Sequence, residues 1–240
     1  MKQTLLIFSV LLAALGAHAQ LESDTIFFKY KTIPDDTTKV NQINDEAFTY
    51  WSTQPLLTER LGKYSLALAE KLNYAKGVGN SNHILGIAYH AIDNYDLAME
   101  KFYIALPIYE DLGNTRGVGS IYLNIASVFD DIEEYDKAKL TIHKSIGTLE
   151  STPYQSLLGA AYNNAGVIYE HLQQFDSAIY FVEQRIKLRE ALGDTIGVAR
   201  GYKNIGVIYK LLDDQEMSFD YFKKSLALND GDRDLNLNLK

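Results

Sequence analysis

A chain of 240 residues with 47% hydrophobic and 22% charged side chains has enough apolar surface to fold and too little polar bias to be disordered. Its formal net charge of −8 disfavours nucleic acid or an anionic membrane surface as the main partner. Cysteine is absent, which excludes disulfides, thiol catalysis and thiolate metal sites together.

Residues 1–19 join Lys2, an apolar run from Leu5 to Leu15 and an Ala17-His18-Ala19 ending, the order of a secretory signal peptide with a small-x-small cleavage site. The run is too short to span a membrane, which takes about 20 apolar residues, and no cysteine follows it for lipid attachment. The expectation is an exported protein, periplasmic or secreted, that begins near Gln20 and has no membrane insertion after cleavage. Loss of Lys2 makes the mature chain more acidic still.

Residues 20–38 read as a polar lead-in ending in Pro34-Asp35-Asp36-Thr37-Thr38, where Asp and Thr side chains would cap a helix start. A helix over residues 39–52 follows, with Val40, Ile43, Ala47, Phe48 and Trp51 at amphipathic spacing, and Pro55 closes it. A second helix over 57–72 completes a degenerate first unit at 39–75.

From there the text repeats. Gly86, Ala126, Gly166 and Gly206 are forty residues apart, as are Tyr89, Phe129, Tyr169 and Tyr209, and Ala98, Ala138, Ala178 and Ser218. A fixed period of this size marks stacked supersecondary units, each burying its apolar faces against its neighbours. Four regular units are expected at 78–112, 118–152, 157–192 and 198–228, each a pair of helices. Small residues such as Gly86 and Ala98 let two helices cross closely, while Tyr89 and Phe102 fill the space beside the crossing. Gly113 and Gly193 suit left-handed helix ends, Asn114-Thr115 and Asp194-Thr195 cap the next helix, and Pro153 replaces the glycine once. Gly77-Val78-Gly79 and Gly117-Val118-Gly119 read as connectors, since they lack the strand and Lys of a phosphate loop. Residues 229–240 form a polar tail in which Gly231 argues against a long helix, leaving the last helix pair to be covered by the tail, a partner or further chain.

The pattern Leu85-Gly86-x-x-Tyr89, then Ala98-x-x-x-Phe102, then Ala105, resembles the tetratricopeptide repeat family over residues 39–228. The resemblance implies an all-α fold, a right-handed α-solenoid of stacked antiparallel helix pairs in a superhelix of about five units. The family's Trp is missing, Arg185 stands in place of a small residue, and the period is forty rather than thirty-four. The signal peptide, the lead-in through Asn41 and the repeat length are also similar to the exported sensor regions of bacterial two-component histidine kinases and regulators.

In this family the first helix of each unit lines a concave wall. The resemblance places His83, Ile84, Ile87 and His90 there, then Leu123, Asn124, Ser127 and Asp130, then Asn163, Asn164, Val167 and Glu170, then Lys203, Asn204, Val207 and Lys210. Asn124, Asn164 and Asn204 keep the forty-residue period, and Ile84 interrupts them in the second unit. A carboxamide carries a donor and an acceptor, so such a row either holds the backbone of an extended peptide or ties neighbouring helices together. Arg200, Lys203 and Lys210 lie toward one end, against Asp130 and Glu170: a docking point for an acidic group, or a solvated charged face.

Nothing else suggests chemistry. His83 and His90 alone do not define a metal site, Asp230-Gly231-Asp232-Arg233-Asp234 has the turn glycine misplaced for a calcium loop, and no Ser, His and acidic triad can be placed. The expected function is therefore a non-enzymatic module, without cofactor or metal, that binds an extended peptide or protein segment. The alternative is a sensory ectodomain, or a truncated copy of one, whose partner is a membrane-bound signalling component.

Overall fold

The computed structural model describes residues 26–237, with side chains as far as Leu228. Residues 1–19, expected to be a signal peptide, residues 20–25 of the lead-in and residues 238–240 of the tail lie outside the described residues. All regular structure among the described residues is helical. Helices α1 to α10 are Thr37–Tyr50, Pro55–Lys71, Ala75–His90, Tyr95–Asp111, Thr115–Asp131, Tyr135–Leu149, Gln155–His171, Phe175–Ala191, Thr195–Leu211 and Gln215–Leu237. The described residues divide into two compact units, one up to Ile108 and the other from Tyr109, with the division inside α4 beside its internal Pro107.

The underlying module is shorter than forty residues. From α2 onward, helices begin at Pro55, Ala75, Tyr95, Thr115, Tyr135, Gln155, Phe175, Thr195 and Gln215, twenty residues apart, so the repeat is two copies of one helix plus turn. The turn has a positive φ at Asn73, Asp93, Gly113, Glu133, Gln173, Gly193 and Asp213, at the same interval. Each closes a Schellman motif. At the α4 end, for example, Gly113 N–H donates to Glu110 O at 3.0 Å and Asn114 N–H to Tyr109 O at 2.8 Å. Asn114 then caps α5 by accepting from Gly117 N–H at 3.0 Å, so one residue ends a helix and starts the next. Asp194 does the same for α9 at 2.8 Å. Pro153 cannot take the left-handed conformation, and there the connection lengthens to residues 150–154.

Glu133 and Gln173 occupy that conformation without the freedom of glycine or the local hydrogen bonding of Asn and Asp. Glu133→Gly is expected to raise stability by about 0.5–1 kcal/mol, the relief of strain outweighing the greater freedom of the unfolded chain. A lower urea midpoint in the variant would contradict this.

Several boundaries differ from expectation. Pro55 is the first residue of α2, where its missing N–H is harmless, rather than a terminator of α1. The Gly-Val-Gly stretches lie in the first turns of α3 and α5, and they serve packing: a Cβ on Gly77 would meet Val40 and Tyr74, and one on Gly117 would meet the Tyr109 ring. The final helix continues to Leu237, through the segment expected to be irregular. One interior glycine costs about 1 kcal/mol relative to alanine, too little to stop a helix by itself.

The first unit holds α1–α3, the part of α4 up to Ile108 and the described lead-in. Its core gathers Val40, Ile43, Ala47, Leu57, Leu61, Leu68 and Ile84. The lead-in is more ordered than its polarity suggested, because Ile26, Phe27, Tyr30 and Ile33 supply apolar contacts. Residues 26–31 are helical. Tyr30 is buried and donates its hydroxyl to the Glu46 carboxylate, with Gln42 O 3.2 Å from the same hydroxyl. The lead-in is pinned by Asp35, which accepts from buried Lys39 at 2.9 Å and from Lys71 at 2.8 Å, while Asp36 caps α1 through Lys39 N–H at 2.8 Å. The two lysines hold the Asp35 carboxyl down at about 2.

In the second unit consecutive helices pack in pairs, α5 on α6, α7 on α8 and α9 on α10, and each pair stacks on the next through α6–α7 and α8–α9. One core runs through it, from Leu123, Ile142 and Leu149 to Ile168, Val182, Ile186 and Ile208.

Candidate binding cleft

The site lies in the second unit, on the faces of α7 and α9. These are first helices of successive pairs, and small and apolar residues position them: Gly166 sits 3.2 Å, at its Cβ position, from Val182 Cγ2, and Gly206 sits 3.0 Å from the Phe222 ring. Between α7 and α9 opens a cleft of about 180 Å³. Gly166, Val182 and Ile208 belong to its apolar floor, Val167 and Val207 stand at its walls half-exposed, and Asn163, Asn204 and Glu170 supply its polar groups.

The three asparagines on the forty-residue row have different situations. Asn164 Nδ2 donates to Ser127 Oγ at 2.8 Å, a bond from α7 back to α5. Asn124 is half-buried on α5 and already engaged by a neighbour. Asn204 is exposed in the cleft and makes no hydrogen bond among the described residues. Asn163 faces the same cleft, half-buried and equally free. The row thus combines tying and open carboxamides, and the open pair is Asn163 with Asn204.

The charged candidates separate in the same way. Asp130 accepts from His171 Nδ1 at 2.8 Å, a second link between α5 and α7, and the His171 ring lies 5.1 Å from that of Tyr135. Glu170 lines the cleft, whereas Arg200, Lys203 and Lys210 are exposed on α9 outside its lining. Links such as Asn164–Ser127 and Asp130–His171 hold α5 against α7, and the opening between α7 and α9 has none of them.

In the first unit, the expected wall residue Ile84 is buried, and so is Leu123 in the second, each inside a core cluster. They serve packing because the face they occupy is covered by neighbouring helices. His83 is half-buried with its ring 6.0 Å from Phe102, in an edge-on contact. Asn44 was not anticipated. It stands on the same row, two periods before Asn124, is almost wholly buried, and accepts from Ser81 Oγ at 3.1 Å while its Nδ2 has no partner among the described residues. Subtracting the period twice would have found it. Among the described residues no cluster of His, Asp and Glu could hold a metal, and no helix is long and apolar enough to cross a membrane.

Residues 157–230, which include both walls of the cleft, match the family described as tetratricopeptide repeat. No curated protein matches the chain. Among solved structures, the fold is similar to BtubC (BKLC) from P. vanneervenii, with a TM-score of 0.71 at 19% identity, covering 92% of this chain and 90% of that one. It is similar to MamA, with a TM-score of 0.57 at 23% identity and coverage of 81% and 92%. It is also similar to a Rap protein complexed with competence and sporulation factor, with a TM-score of 0.67 at 15% identity, covering 88% of this chain and 59% of that one.

Proposed function

We propose that this chain, a helical solenoid whose residues 157–230 match the tetratricopeptide repeat family, is an exported, non-enzymatic module that holds an extended segment of a partner protein in the α7–α9 cleft. The observation that carries this reading is the pair of free carboxamides, Asn163 and Asn204, above an apolar floor. Each offers a donor and an acceptor to a peptide unit whatever its side chain. Val167 and Val207 stay half-exposed beside them and would gain from covering an apolar side chain of the ligand. A Rap protein solved with competence and sporulation factor bound shows that a chain of this fold takes a ligand, which lends support by fold alone.

Asn163→Ala combined with Asn204→Ala is expected to weaken a peptide obtained by display selection on the chain about tenfold, from two lost hydrogen bonds of roughly 0.5–1.5 kcal/mol each. Helix content by circular dichroism should stay unchanged, since neither amide bonds within the fold. Asn164→Ala should behave oppositely, lowering stability through loss of the Ser127 bond with little effect on affinity. Unaltered affinity in the double variant would remove the cleft from consideration.

A further inference from the structure

Where α8 meets α9, Arg189 and Arg185 lie beside Asp194, and Arg200 adds a third positive charge near Arg185, where Gly201 packs on Ile186. Arg189 Nη1 donates to Asp194 Oδ2 at 3.1 Å, while Asp194 Oδ1 is taken by the Gly197 amide at 2.8 Å. Arg189 lies close to both flanking helices: its Cδ is 2.9 Å from the Cβ position of Gly197, and its Nη2 is 3.8 Å from that of Gly159. Its Nε is buried without an acceptor among the described residues. Arg185, one turn earlier on α8, is half-buried and forms no hydrogen bond or ion pair among the described residues. Burial first, then the positive charges of Arg189 and Arg200, make Arg185 hold its proton less tightly than an ordinary guanidinium.

The fold does not require this cluster. One repeat away on either side, the place of Arg185 is taken by Ser145 and Ser225, and two repeats back by Ala105, all buried small residues. Those of Arg200 are Ala160 and Ser120. Partly burying the like charges of Arg185 and Arg189 costs stability unless an anion compensates them, and Asp194 is already shared between Arg189 and a helix cap. A guanidinium presents a planar fork that matches a carboxylate through two hydrogen bonds. Arg200 stands four residues before Asn204 on α9, so it shares that helix face and leads from the cluster to the cleft.

We propose that Arg185, Arg189 and Arg200 form a receptor for a carboxylate on the bound segment, so that the cleft selects partners with an acidic side chain beside the residues seated between Asn163 and Asn204. This inference rests on the protein-binding reading above. It is tested by selecting a library of random, C-terminally amidated dodecapeptides on the full chain. The expected result is enrichment of Asp or Glu at one position of the binders, and about tenfold weaker binding of those peptides to Arg185→Ser. The variant should fold, because Ser occupies the equivalent place in two other repeats. Binders without a shared acidic position, or acidic binders that hold Arg185→Ser as tightly, overturn the carboxylate site and leave the cleft standing. A selection that yields no binder overturns both. Replacing the acidic residue by its amide in a binder with a free C terminus separates the two carboxylate sources: affinity kept through the terminus would overturn the assignment to a side chain.

Discussion

Gly86→Ala is expected to destabilise the protein by about 2 kcal/mol, and Phe102→Ile in the same chain to recover most of that loss. A Cβ on Gly86 would clash with the edge of the Phe102 ring, which is fully buried. The chain itself contains the compensated pair one repeat later, where Ala126 stands with Ile142 in place of Gly86 with Phe102. Gly166 with Val182 is an intermediate case at 3.2 Å, so Gly166→Ala should cost well under 1 kcal/mol. The measurement is a double-mutant cycle by urea unfolding. A coupling near zero between positions 86 and 102 would mean that the crossing adjusts by moving backbone instead of exchanging volume, and the packing account of the repeat would be wrong.

The same exchange explains which parts of the fold were legible. Gly86, Tyr89 and Ala98 recur, or give way to residues of similar size, because each meets a complementary volume in the next helix, so a packing requirement became a visible period. The twenty-residue half-period was hidden, since a left-handed turn can be made by Gly113, Asp93 or Gln173 alike. Conformation repeated there while residue type did not. Gly77 and Gly117 were misread for a related reason. Glycine serves both turns and close helix contacts, and only the position of Val40 or Tyr109 decides between them. The lead-in was misread by average polarity, although Phe27, Tyr30 and Ile33 give it a buried face.

At the site, sequence could name the row but not sort it. Asn164 and Asn204 are the same residue at the same place in the period, yet one has Ser127 within 2.8 Å and the other has an open cleft. The difference depends on the residue at the facing position of the preceding repeat, Ser127 in one case and Val167 in the other. Valine can accept no hydrogen bond, so Asn204 stays free. The cleft therefore arises from one substitution of a polar by an apolar side chain between repeats. Val167→Ser should let Asn204 bond back to α7 as Asn164 does to α5, and it would close the cleft without touching either asparagine.

Acidification is expected to weaken the fold through His83 by about 2 kcal/mol between pH 6.5 and pH 4. The contact with Phe102 and its neighbours keeps the ring largely out of water, and burial pushes its pKa down from 6.5 to about 4. Well above pH 6.5 the ring is neutral in both states and contributes nothing. As pH falls from there, the unfolded chain takes up a proton that the folded chain refuses, so stability declines until the folded ring also titrates near pH 4. Full separation of the two values would be worth about 3 kcal/mol at 1.36 kcal/mol per unit, and the part of the ring still touching solvent reduces that. His83→Gln removes the titration, so its urea midpoint should change less than the wild type's between pH 7 and pH 4.5. Asp35, held near 2 by Lys71 and Lys39, gives up its stabilisation mainly below this window and so leaves the comparison clean. Equal slopes in the two proteins would show that His83 is open to solvent and available to a ligand. The steeper wild-type slope would instead assign the ring to packing against Phe102, at the crossing that Gly86 keeps open.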